Sequence, residues 1–231
     1  MMQKVAIRFL TFDGFWNRRF AFSEMGKTFL MPWKAKGLVF AKHLGVGKGN
    51  GFSILPDFST YVFLGVFESN EDAADFFAHN KRWQQLVAKA SQIKEINGYA
   101  IKAHGSWNQQ QPFKLYDLPF DFVGQIAVIT RASIRWSQAW RFWLNVPAAS
   151  KHIEKQDGLL FAKGVGELPL VEQATISIWE SNKALEQYAY KTRQHAQMIK
   201  KTRTFQWYKE EMFVRIAITH PSTGSGTTHN S

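Results

Sequence analysis

A pair of repeated sequence words limits this chain more than any other feature. LVFAKHLGVG at Leu38 to Gly47 is answered by LLFAKGVG at Leu159 to Gly166, and VFESNEDAADFF at Val66 to Phe77 is answered by IWESNKALEQYA at Ile178 to Ala189. Words that recur in the same order mark a duplicated supersecondary unit. Around the first copy, Lys4 to Phe12 alternates as a half-buried strand does, and Phe15 to Phe29 reads as a helix. Leu38 to Leu44 and Tyr61 to Phe67 read as strands, and a helix capped by Ser69 or Asn70 runs over Glu71 to Ala90. Ile93 to Ala103 closes the unit as a strand.

The second copy opens with a strand at Gly124 to Ile134 and continues into a helix over Trp136 to Glu154, which Pro147 breaks or kinks. It ends on a strand at Phe213 to Thr219. Two consecutive β-α-β-β-α-β units are the sequence form of two tandem ferredoxin-like modules. The expected class is therefore α+β. Each module makes an antiparallel sheet with helices on one face, and the bare faces close on each other as an α+β barrel within one chain. The modules are expected at 1–105 and 124–220, with 106–123 a polar, proline-punctuated and aromatic linker over the surface and 221–231 a disordered polar tail. A ligand cavity in such a fold lies between a sheet and its helices or inside the barrel.

Composition removes several classes of function. With no cysteine, the chain has no disulfide, no thiolate nucleophile and no cysteine-held iron–sulfur cluster or haem. No apolar run reaches the length of a spanning helix, and Met1 to Phe12 alternates where a signal peptide would be continuously apolar, so the expected location is the cytoplasm. A net charge of +11 attracts nucleic acid, anionic lipid or an acidic protein. Lysine and arginine are scattered with no nucleic-acid-binding motif, so nucleic acid is not an expected partner. Nine tryptophans and twenty phenylalanines suit either an aromatic core or a pocket for a large apolar molecule.

The glycines at 45, 47, 49 and 51 lack the spacing of a phosphate loop and stand between strands, where a tight hairpin is the expected reading. Glu210 and Glu211 are adjacent, so their side chains diverge, and a solvated pair is expected. His43 interrupts the repeated FAK word, while His79 and His152 sit on polar helical stretches; none pairs with another histidine at metal-binding spacing. His195 is different. It shares a stripe with Leu185, Tyr188, Ala189, Thr192, Ala196 and Ile199, and its counterpart in the first module, counted from the common Glu-Ser-Asn, is Trp83. An imidazole on an apolar stripe is either a core ring with ordinary hydrogen-bond partners or a ligand for a metal or haem iron.

Several motifs together resemble the spheroidene monooxygenase family of carotenoid biosynthesis. They are Thr130-Arg-Ala-Ser-Ile134, Gly164-Val-Gly-Glu-x-Pro169, Gln173-x-Thr-x-Ser-x-Trp179, His195 with Ile199, and Trp207-Tyr-Lys-Glu-Glu-Met-Phe-Val-Arg215. In the first half, Gly45-x-Gly-x-Gly-x-Gly-Phe52, Pro56-Asp57 and Gly105-Ser-Trp107 followed by Pro112-Phe113 stand in the family's order. The resemblance implies a haem-dependent monooxygenase that places a keto group in an acyclic carotenoid, with electrons from a reduced ferredoxin, on the dimeric α+β-barrel superfamily fold. It makes His195 the residue that would bear the iron. Arg131, Arg135 and Arg141 become candidate partners of the haem propionates, and Trp136, Trp140, Phe142, Trp143, Trp179 and Trp207 candidate walls of an apolar channel. A peripheral contact with the membrane is a further expectation, because the substrate is a lipid-soluble polyene. The rivals are a non-catalytic carrier of haem or an apolar ligand, and a peroxidase or dismutase-like enzyme on the same fold.

Overall fold

A computed structural model of the chain describes residues 2–49, 55–119, 122–138, 156–168, 171–194 and 208–219. The described strands form one closed antiparallel barrel. β1 (Lys4–Thr11), α1 (Phe15–Lys27), β2 (Leu38–Gly47), β3 (Pro56–Phe67), α2 (Asn70–His79), α3 (Lys81–Val87) and β4 (Gln92–Gly105) make the first module. β5 (Ile126–Ile134), β6 (Leu159–Leu168), β7 (Glu172–Trp179), α4 (Asn182–Gln194) and β8 (Tyr208–Ile218) belong to the second. The strand order around the barrel is β1-β3-β2-β6-β7-β5-β8-β4. Each module keeps the ferredoxin-like order, and the modules join at two seams, β2 with β6 and β4 with β8.

The repeated words fold alike because their local chemistry is alike. Glu-Ser-Asn is a helix start in both copies: Ser69 Oγ accepts from the Asp72 N–H, and Ser181 Oγ accepts from the Ala184 N–H. Val39 and Leu160, the second residues of the LVF and LLF words, each fall at a shift of strand register, and each is exposed. A bulge at the same place in both copies turns the next residues, Phe40 and Phe161, toward the barrel. The expected single helix over Glu71 to Ala90 is two, because Asn80 adopts an extended backbone and caps the second by accepting from the Trp83 N–H.

Alternation then sorts the side chains. Val5, Ile7, Val62, Leu64, Ile129, Ile176, Val214 and Ile216 point inward and fill the barrel, each with 1% exposure or less. On the outer face of the first module, Phe63, Phe67, Tyr61, Trp33, Phe76 and Trp83 pack between sheet and helices. The segment expected to cross the surface between modules does more than that. Trp107 and Phe113 are buried in the barrel core, and Gln3 clasps the chain by donating to the Pro112 carbonyl at 2.9 Å and accepting from the Lys114 N–H at 2.7 Å. The long seam depends on Gly98, where an added Cβ would stand 2.2 Å from the Ala217 carbonyl oxygen.

Candidate functional site

One end of the barrel gathers several of the residues that carry the family resemblance. Arg131 on β5 has a side chain only 2% exposed, and its guanidinium pairs with Glu172 of β7 and, at 2.6 Å, with Glu210 of β8. Glu210 also accepts from Ser106 Oγ at 2.7 Å and from the backbone N–H groups of Gln109 at 2.6 Å and Asn108 at 3.0 Å. Those two N–H groups converge because Asn108 and Gln109 both have positive φ, in a two-residue turn closed by mutual Trp107–Gln110 backbone bonds. Burial pushes the Glu210 carboxyl up, but its donors Gln109, Ser106, Arg131 and Asn108 outweigh that and hold it at about 2. The expectation of a solvated Glu210–Glu211 pair is corrected here: Glu210 is an anchor with only 15% of its side chain exposed.

A second chain of contacts continues across the mouth. Arg131 lies over the Trp107 ring at 5.2 Å, Trp107 Nε1 donates to Glu167 at 2.6 Å, and Lys42 donates to the other oxygen of Glu167 at 2.6 Å. A hollow of about 400 Å³ beside these residues is lined by Ser106, Asn108, Arg131, Ser133, Glu172, Lys209 and Glu210 among others. Arg131, Glu172 and Glu210 are matched among themselves, so this cluster works as a latch that holds Trp107 in the barrel. Arg131, expected to meet haem propionates, is committed to Glu172 and Glu210 on the barrel-facing side of β5. Strand alternation accounts for the placement: Arg131 faces the barrel and Thr130 faces outward.

Among the described residues the barrel interior is filled, and the sheet-to-helix layers of the two modules differ. Register makes the comparison direct. In the first module Arg8, Phe63 and His43 lie side by side across β1, β3 and β2; the matching row in the second is Thr130, Thr175 and Gly164. The next row reads Leu10, Tyr61 and Gly45 in the first module and Ala132, Gln173 and Gly166 in the second. A guanidinium, two aromatic rings, an imidazole and a leucine are thus replaced by small or flexible groups, and the second sheet presents a low shelf. Thr175 is 7% exposed, and its Oγ1 has no hydrogen-bond partner among the described residues. Buried hydroxyls normally have one.

Beside the shelf, Trp179 is buried, donates to Ser177 Oγ at 3.0 Å and packs against Tyr188 of α4 with ring centroids 4.9 Å apart. Leu185 is buried as well, so the sheet-facing side of α4 is the one its spacing predicts. His195 and Trp207 lie outside the described residues, as do Trp140, Arg141, Phe142 and Trp143, most of the helix expected at Trp136 to Glu154, and the tail from Pro221. Arg135 is exposed just past β5, and Trp136 is 72% exposed. Sequence reasoning missed the Thr130–Thr175–Gly164 row. The signal was present in the repeat itself, where FAK-His in one copy becomes FAK-Gly in the other. Among the described residues no group of three or more histidine, aspartate or glutamate side chains could hold a metal ion, and no helix is long and apolar enough to cross a membrane.

No family model matches the chain. It is similar to the spheroidene monooxygenase of Rubrivivax gelatinosus, 36% identical over 179 residues covering 78% of this chain and 68% of that protein. It is also similar to the spheroidene monooxygenase of Cereibacter sphaeroides, 31% identical over 218 residues, 94% of this chain and 67% of the other. Among solved structures an aldoxime dehydratase matches with a TM-score of 0.56 over 94% of this chain and 82% of its own, at 10% identity, a likeness of fold alone. The conjunction of motifs at the barrel mouth and likeness over most of both lengths places this chain in the spheroidene monooxygenase family of oxidoreductases.

Proposed function

We propose that this protein is a haem-dependent monooxygenase that introduces a keto group into an acyclic carotenoid, using dioxygen and electrons from a reduced ferredoxin. Family membership supports the reaction class, and the low outer shelf of the second module is the observation that carries the reading to a place in the fold. A flat ring system needs a surface without projecting side chains, and Thr130, Thr175, Gly164 and Ala132 provide one where the first module has Arg8, Phe63, His43 and Leu10. The buried, unpartnered Thr175 hydroxyl is a polar group suited to a bound molecule.

The residues that would hold haem are the shelf row, His195 for the iron as the family resemblance implies, and Arg135 as a candidate propionate partner. Haem bound there would supply dioxygen activation. The chain's own share is to aim one end of a polyene and to exclude water, for which the packed Trp179–Tyr188 pair forms one apolar wall. Each hydroxylation consumes one dioxygen, two electrons and two protons and releases one water. Two at the same carbon followed by loss of water leave the ketone. The +11 charge suits docking of an acidic ferredoxin.

Cells that accumulate an acyclic carotenoid, expressing this chain, test the proposal through pigment mass. A keto product, heavier by one oxygen and lighter by two hydrogens, is the expected result. Unaltered pigment in cells where the protein is made and binds haem would identify a carrier instead.

A further inference from the structure

We propose that the outer face of α1, with the turn that follows it, docks on the surface of an anionic lipid bilayer. Phe15, Phe22 and Phe29 recur every seven residues, so they lie along one side of the helix and its extension, and that side faces solvent: their exposures are 70%, 51% and 55%. Trp16, Leu30 and Met31 widen the patch at 72%, 87% and 65%. The opposite side is spent on the fold, with Ala21 buried and Glu24 tied to Lys27 and Arg82. Phe22 meets Phe58 of β3 edge to face, with ring centroids 5.8 Å apart, and Phe58 is itself 54% exposed, so it extends the patch; contiguous exposed aromatic surface of this kind marks a binding face.

The charge around it selects the occupant. Arg19 lies over the Trp16 ring at 5.7 Å, and Lys34 and Lys36 are exposed with no ion pair among the described residues. Aromatic rings at headgroup depth with lysine and arginine beside them are the composition of an interfacial helix, and an anionic leaflet attracts that charge. An acidic protein would satisfy the cations but leave the phenylalanines without a partner.

Position gives the contact a use. α1 packs over β2 and β3, and the space above Gly45 is closed by the Met25 sulfur, 3.3 Å from where a Cβ would stand. Gly45 pairs across the seam with Gly166, which lies in the second row of the low shelf. The patch thus sits beside the seam that leads to the shelf, and lipid docking would present the shelf to apolar molecules dissolved in the bilayer. What is drawn from the lipid rests on the carotenoid reading; the docking itself does not.

The test is co-sedimentation of the full chain with phosphatidylcholine vesicles, alone or with about one third phosphatidylglycerol, across a salt series. The expected result is binding to the anionic vesicles that weakens with salt. It falls at least about tenfold in Phe22→Ser/Phe29→Ser and about tenfold or more in Lys34→Glu/Lys36→Glu, since each charge near the surface is worth about fivefold. Circular dichroism and thermal unfolding should match the unmutated chain, because these side chains are exposed; if the phenylalanine pair misfolds, Leu30→Ser/Met31→Ser replaces it. Three results would overturn the proposal: no vesicle binding by the unmutated chain, binding lost only in the charge variants, or a solution dimer that the phenylalanine variants dissociate. The assay involves neither haem nor oxygenation, so its failure leaves the oxygenase reading standing, and an unaltered pigment leaves the docking standing.

Discussion

Glu210 and His43 show how far single side chains depart from what their sequence neighbours suggest. Glu210→Gln removes the charge from a carboxylate that satisfies Arg131 and two N–H groups of a positive-φ turn. With Arg131 left short of a partner in a buried place, a loss of about 2–4 kcal/mol is expected in urea denaturation. The carboxyl lies below its ordinary 4.5, so this stabilisation is full above that value and disappears as pH falls toward about 2. His43 behaves differently. Burial pushes its ring down to about 4, with the Arg82 charge adding to the shift and the charge and backbone of Glu24 opposing it. The unfolded chain takes up a proton near pH 6.5 that the folded chain refuses until about 4, so folding weakens as pH drops through that interval. His43→Leu should remove most of that slope, roughly 2–3 kcal/mol between the two ends, in unfolding followed at pH 7 and pH 4.5. Neither environment was legible in the sequence. Glu210 is fixed by a turn a hundred residues away, and the partners that bury His43 come from separate elements.

Helices and strands were read more successfully, for a physical reason. Caps, turns and alternation act over a few residues, and the Glu-Ser-Asn word states a helix start in both copies. Ser69→Ala is expected to cost about 1 kcal/mol in chemical denaturation, since it leaves the Asp72 N–H without its acceptor. The split at Asn80 was missed because the apolar spacing of Phe76, Phe77, Trp83 and Leu86 continues through it. The inter-module segment was misjudged for a similar reason: its polar composition describes most of its residues, while Trp107 and Phe113 alone decide that it plugs the barrel. At the β4–β8 seam, Gly98→Val should separate strands that pack within reach of a single Cβ. A fall in melting temperature well beyond that of an ordinary surface substitution is the expected reading, and an unchanged one would contradict the close approach.

Across the whole molecule, duplication explains both the architecture and its asymmetry. The barrel interior draws side chains from both modules and the seams bond them edge to edge, so unfolding should be a single cooperative transition by fluorescence and circular dichroism together. The first module has used its sheet-to-helix layer for a packed aromatic core; the second has kept the strands and lowered the shelf. The repeat was plain in the sequence, but the shelf required knowing which residues share a row across three strands. Putting the first module's bulk into the second is the most direct trial of this account. Thr175→Phe, made in protein purified with haem supplied and measured by its Soret absorbance per chain, should lose most of its haem while melting within a few degrees of the unmutated chain. Full haem content in Thr175→Phe would contradict the placement of the ligand on the second module's sheet.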